Sequence, residues 1–132
     1  TLDRLGRLSE VTYYGTVSRP VFVNLFRQSR IIAGNSSAGL LEAATLKVPA
    51  VNIGARQRGR LCGANVIFTE GTLDEIRAAV ATACSAEFTK QIAEMRNPYG
   101  DGHSSEAAAK LLKTLPFHDL LAKPEDPLNG AR

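Results

Sequence analysis

The residues best able to do chemistry lie between Gly34 and Arg60, in the stretch GNSSAGLLEAATLKVPAVNIGARQRGR. Ser36 and Ser37 bring hydroxyls, Glu42 a carboxylate, and Arg56, Arg58 and Arg60 three guanidiniums within five residues. The apolar run Ile31-Ile32-Ala33 breaks into Gly34-Asn35-Ser36-Ser37 and resumes as a helical pattern from about Ala38 to Leu46. In α/β proteins, a strand that breaks this way presents unpaired backbone N–H groups to an anion. Val48 to Ile53 then reads as a short buried strand closed by Gly54, and the arginine loop follows. Hydroxyls at a helix start, one acid and a mobile basic loop together suit a nucleotide diphosphate.

Each of these residues also has a plainer reading. Ser36 and Ser37 are good helix caps, a role compatible with leaving the other N–H groups for phosphate. A glutamate on a helix is ordinarily a solvated acid. Glu42, however, stands three and four residues beyond Gly39 and Ala38, on the face that leads back to the loop. An acid beside a diphosphate is repelled, so the task that suits it is accepting hydrogen bonds from ribose hydroxyls, as dinucleotide folds use an acid. Arg58 reads as part of a solvated basic turn. Arg56 reads as a direct phosphate ligand, because a guanidinium offers a planar fork that an ammonium lacks. Phe22 is most simply a core residue on its helix, and His103 and His118 receive no role.

The elements that must position these groups alternate. Thr1 to Glu10 reads as a helix tail or frayed end, and Val11-Thr12-Tyr13-Tyr14 as a strand stopped by Gly15. Pro20 suits the first turn of a helix carrying Val21, Phe22, Leu25 and Phe26 and ending near Ser29. Strands follow at Arg30–Ala33, Val48–Ile53 and Asn65–Phe68. Thr72 is expected to cap a helix through about Thr82, with Asp74 and Glu75 in its first turn. Further helices are expected over Glu87–Arg96 and, capped by Ser104 or Ser105, through Leu115. The alternation implies a parallel sheet with right-handed crossovers, which places Thr16–Ser18, Gly34–Ser37 and Gly54–Arg60 on one rim.

Composition narrows the function classes. With 132 residues, 44% hydrophobic and 22% charged, this is one globular domain's worth of chain. No apolar run approaches the ~20 residues that span a bilayer, so no membrane partner is expected. Residues 1–60 hold nine Lys/Arg against three acids, so positive potential gathers at the glycine loop and arginine cluster. Nucleic acid is disfavoured as a partner: the net charge is only +3, and no RNA-binding aromatic motif accompanies the arginines. Cys62 and Cys84 form neither a metal spacing nor a disulfide framework, which fits a reduced, cytoplasmic setting. A chain that opens at Thr1 with Leu2, Leu5 and Leu8 at near-helical spacing is expected to be a piece of something longer, its amino-terminal half absent.

Three separated motifs carry a family resemblance: Gly34-Asn35-Ser36-Ser37-x-Gly39-x-x-Glu42, Pro49-x-x-Asn52-x-Gly54-x-Arg56-Gln57-x-Gly59-Arg60, and Asn97-Pro98-Tyr99-Gly100-Asp101-Gly102. Over about Val11 to Leu115 the chain resembles the C-terminal half of UDP-N-acetylglucosamine 2-epimerases, most closely the hydrolysing kind that begins sialic and related nonulosonic acid synthesis. The resemblance implies a three-layer α/β, Rossmann-like domain with a largely parallel sheet, the C-terminal half of a glycosyltransferase-B-like (GT-B) fold. It implies a UDP-binding domain over residues 1–115, incomplete at its amino-terminal end; beyond it, Pro116, Pro124 and Pro127 with few periodic apolar residues lead us to expect a loosely ordered extension over 116–132. It further implies that UDP contacts Ser36, Ser37, Glu42 and Arg56, with Val17 and Phe22 near the uracil. Gly34, Asn35, Gly39, Gln57 and Arg60 would support the loops. The carboxylates that act on the sugar belong to the family's amino-terminal domain, so no catalytic residue is assigned to this chain. No cofactor or metal is implied, and the expected partners are a UDP-sugar, the missing domain and further copies in a homo-oligomer. Three alternatives stay open: a non-hydrolysing epimerase or relative acting on a 4-amino- or 2,4-diamino-sugar nucleotide, a retaining glycosyltransferase of the same architecture, and a non-catalytic nucleotide-sugar-binding domain.

Overall fold

The structure, a computed structural model, describes residues 8–117. It falls into two compact units, one reaching Tyr99 and one beginning at Gly100. In the first unit, α1 (Arg19–Gln28) leads to β1 (Ile32–Gly34), a 3-10 turn (Ser37–Gly39), α2 (Glu42–Leu46), β2 (Ala50–Ile53), β3 (Val66–Thr69), α3 (Leu73–Ala83) and α4 (Ala86–Ala93). The second unit holds α5 (Ser104–Thr114). The three strands form one parallel sheet in the order β1-β2-β3, with Ile32 opposite Ala50 and Val51 opposite Ile67.

The middle strand explains why both faces are covered. Successive side chains of a strand point to opposite faces. Ala50 joins Ala43 and Val48 in one cluster, against which Phe26, Ile32, Leu46 and Val66 pack. Val51 joins Ala79 and Ala83 in another, with Ile31, Ile53, Ile67 and Val80. Thus α1 and α2 cover one face and α3 the other. This is the three-layer α/β arrangement expected, and all of its strand pairing is parallel.

Several local expectations shift, each for a physical reason. Val11–Tyr14 forms no strand: the segment is irregular, with Tyr13 and Tyr14 exposed. β-rich composition favours a pleated, half-buried surface, and without a pairing neighbour it does not make one. The helix expected over Ala38–Leu46 is split into the 3-10 turn and the shorter α2. Gly39's carbonyl accepts from Asn65 Nδ2 at 3.2 Å, and that of Leu41 accepts from Asn97 Nδ2 at 3.1 Å. Side chains thus take carbonyls that a continuous helix would use itself. Asn65 is turned to this work and lies before β3, which begins at Val66.

The expected Glu87–Arg96 helix ends early, at Ala93, where Lys47 Nζ reaches the carbonyls of Ala93 and Met95. Neither Ser104 nor Ser105 caps α5. His103 occupies the cap position, its backbone N–H held by Asp101 Oδ1 at 3.1 Å, so that Ser104 is already helical. The extension beyond residue 117 lies outside the described residues. Among the described residues no helix is long and apolar enough to cross a membrane.

Candidate functional site

Two neighbouring parallel strands place their following loops at one end of the sheet, and hydrogen bonds tie those loops together. Gly34, the last residue of β1, sits opposite Asn52 of β2. Beyond β2, Gly54 turns the chain at φ 83°, a backbone conformation costly for a residue with a Cβ. The loop then folds back so that Gln57, 1% exposed, donates from Nε2 to the Asn35 carbonyl at 2.8 Å. Arg60 Nη1 donates in turn to Gln57 Oε1 at 2.8 Å. Arg60 therefore braces the loop through Gln57.

Arg56 and Arg58 differ. Arg56 Nη1 makes only a long contact, 3.4 Å, to the same Asn35 carbonyl, and the residue is exposed. Its guanidinium lies beside the Ser36–Ser37 loop with most of its donors uncommitted. Arg58 is turned away from that loop into an ion pair with Glu70.

Ser36 caps the 3-10 turn, its Oγ accepting from Ala38 N at 3.3 Å and its carbonyl from Gly39 N at 3.2 Å. The Ser37 carbonyl accepts from both Leu40 and Leu41. The N–H of Ser37, first in the turn, has no partner inside it. Gly39 lets the turn lie directly on the sheet: a Cβ there would stand 3.3 Å from that of Ala50. Beneath the turn, Asn52 is buried, donates to the Gly54 carbonyl at 2.9 Å and leaves Oδ1 unpartnered.

Glu42 opens α2 instead of standing one turn inside a longer helix. Its carboxylate meets Arg19 of α1, with Nη1 2.9 Å from Oε1. The Arg19 guanidinium also lies 5.8 Å from the centre of the Phe22 ring, close enough for a cation–π contact. Phe22 is half-buried and stacks at a tilt on Phe26, ring centres 4.5 Å apart; Val17, just before α1, is half-buried too. The segment preceding α1 is thereby brought toward the Glu42 end of the site through Arg19.

Arg19 is one residue whose place here the sequence does not reveal, since its partner lies 23 positions away. Asn97 is another. Besides Leu41, its amide donates to Thr45 Oγ1 at 2.7 Å, and its Oδ1 accepts from Tyr99 N at 2.9 Å. Tyr99 Oη donates to the Leu61 carbonyl at 2.6 Å, just beyond the arginine loop. The Asn97-Pro98-Tyr99 motif so touches both the helix bearing Glu42 and the exit of the loop bearing Arg56. The run Asn97-Pro98-Tyr99-Gly100-Asp101-Gly102 is the sequence signal that marks this segment.

The chain is 39% identical over 100 residues to a UDP-N,N'-diacetylbacillosamine 2-epimerase (hydrolyzing) of Legionella pneumophila, a match covering 76% of this chain and 26% of that protein. It is 32% identical over 92 residues to a polysialic acid biosynthesis protein of Escherichia coli, covering 70% and 24%. It is 38% identical over 64 residues to a UDP-N-acetylglucosamine 2-epimerase of Neisseria meningitidis, covering 48% and 17%. The chain thus spans about a quarter or less of the length of these relatives. The family model for UDP-N-acetylglucosamine 2-epimerase matches residues 1–113, through every element described above except the last residue of α5. With that match and a parallel α/β sheet carrying the serine and arginine loops on one rim, the chain belongs to the UDP-N-acetylglucosamine 2-epimerase family.

Proposed function

We propose that this chain supplies the UDP-binding half of a hydrolysing 2-epimerase, which releases a free 2-epimerised acetamido sugar and UDP. The observation that carries the binding assignment is the tie between the loops after β1 and β2. Gln57 and Arg56 both address the Asn35 carbonyl, which sets an uncommitted guanidinium beside two serines. On this reading Ser36 and Ser37 contact the diphosphate, Arg56 forks onto a phosphate, Glu42 accepts from the ribose, and Val17 and Phe22 line the base. Departure of UDP from the sugar builds negative charge on the phosphate oxygens. A guanidinium held nearby but not yet paired with an acid is well suited to stabilise it.

The hydrolysing outcome is supported by the Legionella pneumophila relative, whose name carries that activity. The same relative favours a second reading of the sugar, a UDP-linked 2,4-diacetamido sugar in place of UDP-N-acetylglucosamine. The carboxylates acting on the sugar are assigned to a part of the protein outside this chain. Product analysis on the intact protein tests the proposal: incubation with each nucleotide sugar should give free sugar and UDP from one of them. Recovery of an epimerised nucleotide sugar, or transfer to an acceptor, would contradict the hydrolysing reading.

A further inference from the structure

Resting on the reading of Glu42 as the ribose acceptor, we propose that Arg19 is a positioning residue. It holds the Glu42 carboxylate ready for the ribose and so sharpens selection of a ribonucleoside diphosphate over one lacking those hydroxyls. Arg19 stands at the start of α1, and Glu42 at the start of α2. Their 2.9 Å ion pair joins two helices whose apolar residues, Phe26 of α1 with Ala43 and Leu46 of α2, gather in one core cluster. The pair is lopsided: the Arg19 side chain is 66% exposed and that of Glu42 25%. A pair so open to water adds little to stability, so its consequence is better sought in what it orients.

The geometry favours orientation over competition. A carboxylate offers about four lone-pair sites, and Arg19 takes one, on Oε1. Among the described residues none engages Oε2, which stays open to a hydroxyl donor. A free glutamate loses rotamer freedom when it binds; one already pinned by a guanidinium has lost it beforehand. The guanidinium is itself steadied by the face of Phe22. Arg19 therefore links the side chain read as lining the base with the one read as reading the ribose.

The test is calorimetric titration of the intact protein with UDP and with 2′,3′-dideoxy-UDP, using Arg19→Ala, Glu42→Gln and the double variant. Arg19→Ala should weaken UDP by about two- to fivefold, the size of an exposed ion pair, and leave dideoxy-UDP unchanged. In the Glu42→Gln background it should do nothing further. Arg19→Lys, which keeps the charge and much of the reach, should recover part of the loss. Equal weakening of both ligands would overturn the proposal, because Arg19 would then act as a general positive charge on the diphosphate; the ribose reading would survive. Tighter UDP binding by Arg19→Ala would also overturn it, showing competition for the carboxylate. Should Glu42→Gln affect both ligands alike, or UDP fail to bind the wild-type protein, the ribose reading falls and this proposal with it.

Discussion

The side-chain amide of Gln57, almost wholly buried, donates to the backbone carbonyl of Asn35 across 2.8 Å and locks the loop after β2 onto the loop after β1. Replacing Gln57 by Leu removes the donor and leaves that carbonyl, and the Arg60 guanidinium, without this partner. A buried hydrogen-bonding group left unpaired costs roughly 1–3 kcal/mol. Gln57→Leu is expected to lower unfolding free energy by about that much in a denaturant titration, and to weaken UDP binding by freeing Arg56. A change in neither quantity would mean that the tie is incidental.

Arg56 and Arg58 lie two residues apart and face different surroundings, which makes them each other's control. Arg56→Lys keeps the charge but loses the planar fork, and is expected to lower kcat/KM by about ten- to a hundredfold, as for one lost charged hydrogen bond. If the contact strengthens as UDP leaves, kcat falls as well. Arg58→Lys, whose ion pair with Glu70 is exposed, is expected to be nearly silent. Steady-state kinetics of the two variants should separate them clearly.

Asn97 stitches the segment after α4 to α2 through Leu41 and Thr45. Asn97→Ala is expected to cost roughly 1–3 kcal/mol of stability. Amide hydrogen exchange should show the loss of protection centred on α2, and uniform loss across α3 would place its role elsewhere.

At the start of α3, Thr72 Oγ1 accepts from Glu75 N and Glu75 Oε2 accepts from Thr72 N. The side-chain and backbone hydrogen bonds from Thr72 hold the Glu75 carboxyl below its usual pKa. A group whose pKa falls on folding stabilises the fold above its unfolded pKa, and that contribution is lost as pH drops through the folded value. Acidification below the ordinary carboxylate range should therefore loosen the start of α3. Glu75→Gln should remove that part of the pH dependence, as followed by helix-resolved NMR across an acid titration.

These same residues show what could be read from sequence. Thr72 and Glu75 form a capping box that declares itself at a spacing of three residues. Pro20 lies in the first turn of α1 as its fixed φ suggests. Alternating burial of Ala50 and Val51 onto opposite faces follows from strand geometry alone. What was hidden depended on partners far along the chain. The break between Gly39 and Glu42 needs the amides of Asn65 and Asn97, 26 and 56 residues from the carbonyls they take. Val11–Tyr14 has strand composition but, among the described residues, pairs with no strand. That the serine and arginine loops adjoin was legible because neighbouring parallel strands deliver their following loops to one rim. Arg19 was not, because nothing local distinguishes it from a solvated helix arginine.

The central claim, that UDP is held on the rim shared by the loops after β1 and β2, is tested most directly by titrating UDP into isotopically labelled intact protein and following backbone amides. The account predicts saturable shifts concentrated at Ser36, Ser37, Glu42 and Arg56, with smaller ones at Val17 and Phe22 and none along the exposed face of α3. Saturable binding whose shifts bypass Ser36, Ser37 and Arg56 would contradict it.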